Sequence, residues 1–256
     1  MPTGSGCRSD HKAWKQVISQ MLKCLRSGAR VAACSLITVT LITATLCALP
    51  FDRGGRAQQG LFRFWARCML AVCGVRVSVS GDDSIDWGKK HIFVSNHTSL
   101  IDAPVLVASL SVPLCFLAKN ELFQTPIVGV YLRTTGHIPV DRANSRSALH
   151  GFKEAARTLR DGRRSLLLFP EGTRAQSTPS TFKEGAALIA IHSAVPIVPI
   201  AIVGAAKVLP SRSLRIEAGC VELRMGTPIP TDGLSIRDRT KLTEQLRDEV
   251  ARLLSL

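Results

Sequence analysis

His91-Ile92-Phe93-Val94-Ser95-Asn96-His97-Thr98-Ser99-Leu100-Ile101-Asp102 is the stretch on which the fold turns. Its first five residues form a short apolar run of the kind that makes a buried strand. The remaining seven leave that strand and enter a helix. His97 and Asp102 are five positions apart, which in an unbroken helix is an advance of about 500°, leaving the side chains about 140° apart. They meet only where the chain turns between them, with His97 in the loop after the strand and Asp102 in the first helical turn. Ser99 is the expected N-cap of that turn. The chemistry that suits such a pair is a general base held by a carboxylate. Asp102 accepts one imidazole N–H and fixes the tautomer, which leaves the other ring nitrogen to take a proton. A histidine beside an aspartate after a strand also serves capping and packing, so the rest of the chain has to decide between the two uses.

Outward from this segment the same alternation repeats. Apolar or alternating runs predict strands over 75–79, 91–95, 114–118, 165–169, 197–203 and 220–225. Residues 136–142 read as a further strand running into a loop. Helical spacing predicts helices from 102 to about 110, 145–160, 185–193 and from 235 onward. The last opens on Ser235-Ile236-Arg237-Asp238, an S-x-x-D capping pattern, with Leu242, Leu246, Val250 and Leu253 as its apolar face. Pro199 inside the 197–203 run hints at an edge strand or a bulge. Strands alternating with helices give an α/β fold: a mixed, largely parallel sheet flanked by helices. No internal repeat or low-complexity tract interrupts it.

The N-terminal third has a different character. The 256 residues carry 33 Lys and Arg against 19 Asp and Glu, and residues 1–76 hold eleven of the basic residues but only two aspartates. Residues 1–10 read as a disordered lead. Over 11–30, Trp14, Val17, Ile18, Met21, Leu22 and Leu25 fall on one helical face, with Lys12, Lys15, Lys23 and Arg26 among the polar positions. A basic amphipathic helix of this kind lies in an anionic bilayer surface. Residues 31–49 carry no charge and approach the roughly 20 residues that a spanning helix needs, though serine and threonine interrupt them. A tilted span and a half-buried re-entrant helix both fit. Some 30 residues precede this run, too many for the n-region of a cleaved signal peptide. Over 58–75, Phe62, Phe64 and Trp65 alternate with Arg63 and Arg67, a mixture that favours the water–lipid interface. We therefore expect an N-terminal membrane-associated helical extension, residues 1–74, followed by an α/β domain, residues 75–256. Basic residues flank both ends of the apolar run, so the sequence gives no orientation.

Composition removes some classes. There is no zinc-finger spacing, and Tyr131 is the only tyrosine, so a base-stacking nucleic-acid platform is not expected. The eight cysteines form no C-x-x-C pair and no regular framework, which reads as a reducing compartment without structural disulfides. There is no H-E-x-x-H and no second cluster of ligands, so no metal site is expected.

In open α/β sheets, ligands gather at the carboxyl ends of strands. Asn96-His97, Lys119, Asp141-Arg142 and Glu171-Gly172-Thr173-Arg174 all follow predicted strands, so one cleft is able to collect them. Gly172 allows close backbone approach to a phosphate, Thr173 offers a hydroxyl, and Arg174 suits bidentate binding of phosphate oxygens, with Arg142 as a second guanidinium. His91, His137, His150 and His192 read as structural.

These residues resemble a family. Asn96 to Asp102 resembles the N-H-x-S-x-x-D block of the glycerolipid acyltransferases, and Phe169-Pro170-Glu171-Gly172-Thr173-Arg174 matches their F-P-E-G-T-R block in full. Gly136 to Arg142 resembles the G-x-I-x-x-D-R block, Val195 to Pro199 the V-P-I-x-P block, and Ala118 to Leu122 the A-K-x-E-L segment. The likeness spans residues 75–230 and is closest to the bacterial 1-acyl-sn-glycerol-3-phosphate acyltransferases. Pro139 stands where an aromatic residue is frequent, and Ala175 where serine is common.

The resemblance implies that His97 is the base for the sn-2 hydroxyl of a lysophosphatidic acid and that Asp102 steadies the imidazolium. It further implies that backbone N–H groups, with Lys119, stabilise the oxyanion. Arg142, Glu171, Gly172, Thr173 and Arg174 would hold the glycerol phosphate. The acyl donor would be acyl-CoA or acyl-carrier protein, with no other cofactor, and the product phosphatidic acid. It also implies a place at the inner (plasma) membrane with the catalytic domain on the cytoplasmic side. Lyso-ornithine lipid and lysocardiolipin are alternative acceptors. A non-catalytic membrane lipid-binding protein on the same fold is a rival class, against which the presence of both His97 and Asp102 weighs. The oligomeric state stays open.

Overall fold

The structure, a computed structural model, describes residues 6–52, 55–141, 145–172, 174 and 181–256. Among them are seven strands: β1 (Val75–Ser80), β2 (Ile92–Ser95), β3 (Leu114–Lys119), β4 (Ile138–Val140), β5 (Ser165–Leu168), β6 (Ile197–Val203) and β7 (Gly219–Met225). They join one sheet in the order β1-β7-β6-β2-β5-β3-β4. Every pairing is parallel except that of β6 with β7, so the sheet is mixed and largely parallel, as expected. The turnabout at β6 sets β1 and β7 against the direction of the other five strands.

The central strands β2 and β5 are buried at every position because both faces are covered. Phe93 of β2 and Leu167 of β5 enter one core, with Val105 and Leu106 of α3 (Asp102–Ser109) and Ala66 and Leu70 of α2 (Arg56–Cys73). Their neighbours Ile92, Val94, Leu166 and Leu168 enter the other. That second core holds Ala155 and Leu159 of α6 (Ser145–Asp161), Ala187 and Ile189 of α7 (Gly185–Ser193), and Leu242, Leu246 and Val250 of α9 (Arg239–Ser255). The result is a three-layer α/β/α sandwich, with α4 (Asn120–Gln124), α5 (Val128–Thr134) and α8 (Ala205–Val208) as short connecting helices. The Ser235–Asp238 capping box forms as its spacing predicts, with Asp238 Oδ2 accepting the Ser235 N–H at 2.8 Å.

Pro199 lies inside a central strand, and the reason it is tolerated there is local. Its carbonyl accepts the Gly226 N–H on the β7 side, which is therefore the side its missing N–H would face. The β6–β7 ladder begins only at Ile200↔Met225, and Ile197 bridges Ile229 one residue out of step with that ladder. The irregularity is a bulge, so the proline deprives no ladder of a donor.

Residues 11–30 and 31–49 are not two helices. They belong to one, α1 (Gly6–Ala48), which also takes in the latter half of the expected lead. At 43 residues it is about 65 Å long, roughly twice the hydrocarbon thickness of a bilayer. The segment Gln16–Phe51, which runs from inside α1 through the turn after it, is long and apolar enough to cross a membrane, with an 18-residue window of mean hydropathy 2.1 of which only 11% is buried. Its middle is fastened to the sheet domain. Ser27 Oγ accepts the Ile216 N–H at 3.2 Å, and Arg30 donates to the Ile216 carbonyl at 2.9 Å. Farther along, Thr38 Oγ1 accepts from Trp65 Nε1 of α2 at 3.0 Å, and the thiols of Cys34 and Cys73 lie 3.9 Å apart. Trp14, Met21, Leu25, Leu36 and Val39 are exposed.

Candidate active site

The loops after β2 and β5 leave adjacent strands in the same direction, which brings their residues together at the carboxyl edge of the sheet. Asn96 ties the first loop to β6: its amide donates to the Ile202 carbonyl at 3.0 Å and accepts the Ile202 N–H at 2.8 Å. That fixes the exit of β2, and the next residue is His97.

His97 Nδ1 lies 2.8 Å from Asp102 Oδ2, with Asp102 fully buried at the first residue of α3. The same carboxylate oxygen accepts the Thr98 N–H at 2.7 Å and the Ser99 N–H at 2.8 Å. An oxygen gathering backbone donors in this way is an acceptor, so Nδ1 carries the hydrogen of that bond. The lone pair of the neutral ring is then on Nε2. The ring stacks on Phe169 of the β5 loop with centroids 4.1 Å apart and an interplanar angle of 18°. Two constraints therefore set the imidazole, a carboxylate at its edge and an aromatic ring on its face. Ser99 is not the N-cap, because the helix starts only at Asp102. Its hydroxyl instead donates to the Leu209 carbonyl at 2.7 Å and accepts the Ile101 N–H at 3.2 Å, bracing the turn that returns Asp102 to His97.

Glu171 reaches across from the second loop. It is buried, and its Oε1 accepts the His97 backbone N–H at 3.1 Å. It ties the two loops together at the base itself. Gly172 follows with φ 75°, in the left-handed region that favours glycine, and its N–H closes the turn on Phe169 O at 3.1 Å. Arg174 is exposed. Lys119 ends β3, exposed, with its ammonium 2.7 Å from Glu121 Oε1. Arg142, Thr173 and Ala175 lie outside the described residues. The structure thus brings together His97, Asp102, Glu171 and Gly172, and sets Lys119 on a strand separated from β2 by β5.

Beside this edge is a cavity of about 550 Å³. Phe116, Leu117, Val140, Phe152, Leu168 and Phe169 supply its apolar wall, and Gly172 and Lys183 form part of its polar one. It adjoins the base across Phe169, which belongs both to its wall and to the stack on His97. Its far side rests on fixed structure. His137 Nδ1 accepts the Phe116 N–H at 3.2 Å, and burial, helped by the nearby Arg164 guanidinium, lowers the His137 pKa to about 4. Sequence reasoning set Asn96 at the cleft without a role and did not single out Phe169 or Lys183 as site residues. Asn96 and Phe169 stand inside the two quoted blocks, and Lys183 stands in Phe182-Lys183-Glu184-Gly185, a charged pair between an aromatic residue and a glycine at a helix entry.

Residues 76–203 match the family model described as Acyltransferase. The 1-acyl-sn-glycerol-3-phosphate acyltransferase alpha of Homo sapiens is 31% identical over 83% of this chain and 75% of its own length. The 1-acyl-sn-glycerol-3-phosphate acyltransferase of Saccharomyces cerevisiae is 28% identical over 91% of this chain and 78% of its own. The crystal structure of the 1-acyl-sn-glycerophosphate acyltransferase PlsC from Thermotoga maritima superposes with a TM-score of 0.75. It covers 90% of this chain and 95% of that one at 24% identity, and shares the fold.

Proposed function

Because this chain belongs to the acyltransferase family, we propose that it acylates the sn-2 hydroxyl of 1-acyl-sn-glycerol 3-phosphate to give phosphatidic acid. The observation that carries the mechanism is the 2.8 Å contact between His97 and a buried Asp102 beside an apolar cavity. His97 Nε2 takes the proton of the acceptor hydroxyl as its oxygen attacks the thioester carbonyl of acyl-CoA or acyl-carrier protein. Asp102 balances the imidazolium that forms. The tetrahedral intermediate collapses, the carbon–sulfur bond breaks, and the imidazolium returns its proton to the departing thiolate. The acyl chain is the natural occupant of the cavity walled by Phe116, Val140 and Phe152. Arg174, Arg142 and Thr173 are assigned to the acceptor phosphate, and Glu171 to holding the two loops in register. Lys119, at the end of β3 beyond β5, is assigned to the oxyanion. General base catalysis supplies roughly 10²–10⁴-fold, and positioning of the two substrates supplies much of the remainder.

The donor thioester and both lipids are substrates or products, and the scheme draws on no other group. The exposed apolar face of α1, with the basic residues on it, suits docking on an anionic bilayer. We place the protein at the inner (plasma) membrane with the sheet domain on the cytoplasmic side, where acyl-CoA and acyl-carrier protein are found.

The test is an acceptor panel with purified protein: lysophosphatidic acid, lysocardiolipin and lyso-ornithine lipid, each with both donors. Lysophosphatidic acid is expected to give the highest kcat/KM, and H97A to abolish turnover on it. Preference for another acceptor overturns the substrate, and full activity of H97A overturns the base.

A further inference from the structure

Lys183 takes no part in the scheme above. Its backbone N–H donates to the Pro170 carbonyl at 3.0 Å, which draws the entry to α7 against the turn after β5. Its side chain then lies across Gly172. A Cβ built on Gly172 would stand 3.6 Å from Lys183 Cδ, 3.3 Å from Cε and 3.2 Å from Nζ. The ammonium therefore rests on the backbone of the turn that carries Glu171 and Arg174, at the wall of the cavity. Glu184, the adjacent carboxylate in sequence, faces another way. Its two oxygens accept from Thr240 Oγ1 at 2.7 Å and Arg239 Nε at 2.9 Å, at the start of α9. Among the described residues no carboxylate lies within ion-pair distance of Lys183. Positive charge is thus set at the mouth of the cleft with its own sequence neighbour engaged elsewhere.

We propose that Lys183 is a phosphate-binding residue of the acceptor site, its ammonium held over Gly172 to meet the phosphomonoester of the lysolipid. The proposal rests on the reading of the preceding subsection. The donor also carries phosphates, but their position differs. Gly172 follows Glu171, whose carboxylate holds the His97 backbone, so a group bound at Lys183 lies close to the base. In the acceptor only two carbons and one oxygen separate the reacting hydroxyl oxygen from phosphorus. In acyl-CoA or acyl-carrier protein the phosphates lie at the far end of a pantetheine arm.

Steady-state kinetics on the full-length protein in mixed vesicles tests this, using lysophosphatidic acid, 1-acylglycerol and acyl-CoA. K183Q is expected to raise the KM for lysophosphatidic acid about tenfold or more, with kcat and the KM for acyl-CoA within about twofold of wild type. K183R is expected to recover most of the loss, and turnover of 1-acylglycerol, which lacks the phosphate, to be the same in all three proteins. An unchanged KM for lysophosphatidic acid overturns the proposal, and so does a rise confined to acyl-CoA. A readout on the wild type needs no variant. Labelling of the Lys183 amine by a succinimidyl ester, followed by peptide mass mapping, is expected to be slowed by lysophosphatidic acid and not by 1-acylglycerol. Equal labelling with both lipids contradicts the proposal. A wild type that leaves lysophosphatidic acid untouched refutes the acceptor itself, and that result is distinct from either failure.

Discussion

Asp102 concentrates its bonds on one oxygen. Oδ2 receives His97, Thr98 and Ser99, while Oδ1 is buried without a hydrogen-bond partner among the described residues. An amide in its place keeps its oxygen where the three donors converge and buries its NH2 at the unpartnered Oδ1 position, so it holds the ring but carries no charge to balance the imidazolium. We expect D102N to lower kcat by ~10²–10⁴-fold while binding and melting temperature change little; kinetics and thermal unfolding on one preparation check it. His137 makes a separate point about pH. Its pKa is about 4 in the fold against an ordinary 6.5, because burial disfavours the cation. As pH falls, the unfolded chain takes up this proton before the native one does. Stability is therefore whole above pH 6.5 and declines by about 1.4 kcal/mol per unit as pH drops toward 4. H137Q, which keeps an acceptor for the Phe116 N–H, is expected to flatten that slope in denaturant titrations at pH 7, 6 and 5. The five-residue spacing of His97 and Asp102 was readable as a turn because geometry forbids the pair in a helix. The role of Ser99 was not, since the carbonyl it meets belongs to Leu209, over a hundred positions away.

At the level of elements, strands and periodic helices were readable and the shortest helices were not. The face of α9 is the predicted one, and Leu242, Leu246, Val250 and Leu253 are all buried. Two short helices between β3 and β4, Asn120–Gln124 and Val128–Thr134, were missed. Segments of five and seven residues complete too few turns to display a period. The break expected near residue 30 is absent because Ser27 and Arg30 are held by Ile216, a contact that overrides the local glycine at 28. Packing of α6 on α7 has a functional edge. Phe152 lies so near Gly185 that an added Cβ would stand 2.6 Å from Cζ, so G185A drives the ring toward the cavity it lines. We expect G185A to shift preference toward shorter acyl donors. A chain-length series of acyl-CoA substrates measures it, and an unshifted profile places the acyl chain elsewhere.

For the whole molecule, the sheet domain and the N-terminal helices share packing. Ala66, Leu70 and Cys73 of α2 stand in the same core as β2 and β6, and α1 packs on α2. The first part of α1 presents Trp14 and Leu25 to solvent. Replacing both by serine is expected to weaken co-sedimentation with anionic vesicles about tenfold or more, with thermal unfolding unchanged. Loss of the fold in that variant would show that this part of the helix supports the domain.

The bonds from Ser27 and Arg30 to Ile216 then set what concentration means for this protein. On a bilayer, a cleft tied to this helix would meet its acceptor per unit area, not per unit volume. Turnover is expected to follow the mole fraction of lysolipid in the sheet, and inert lipid added at constant total lysolipid will slow it.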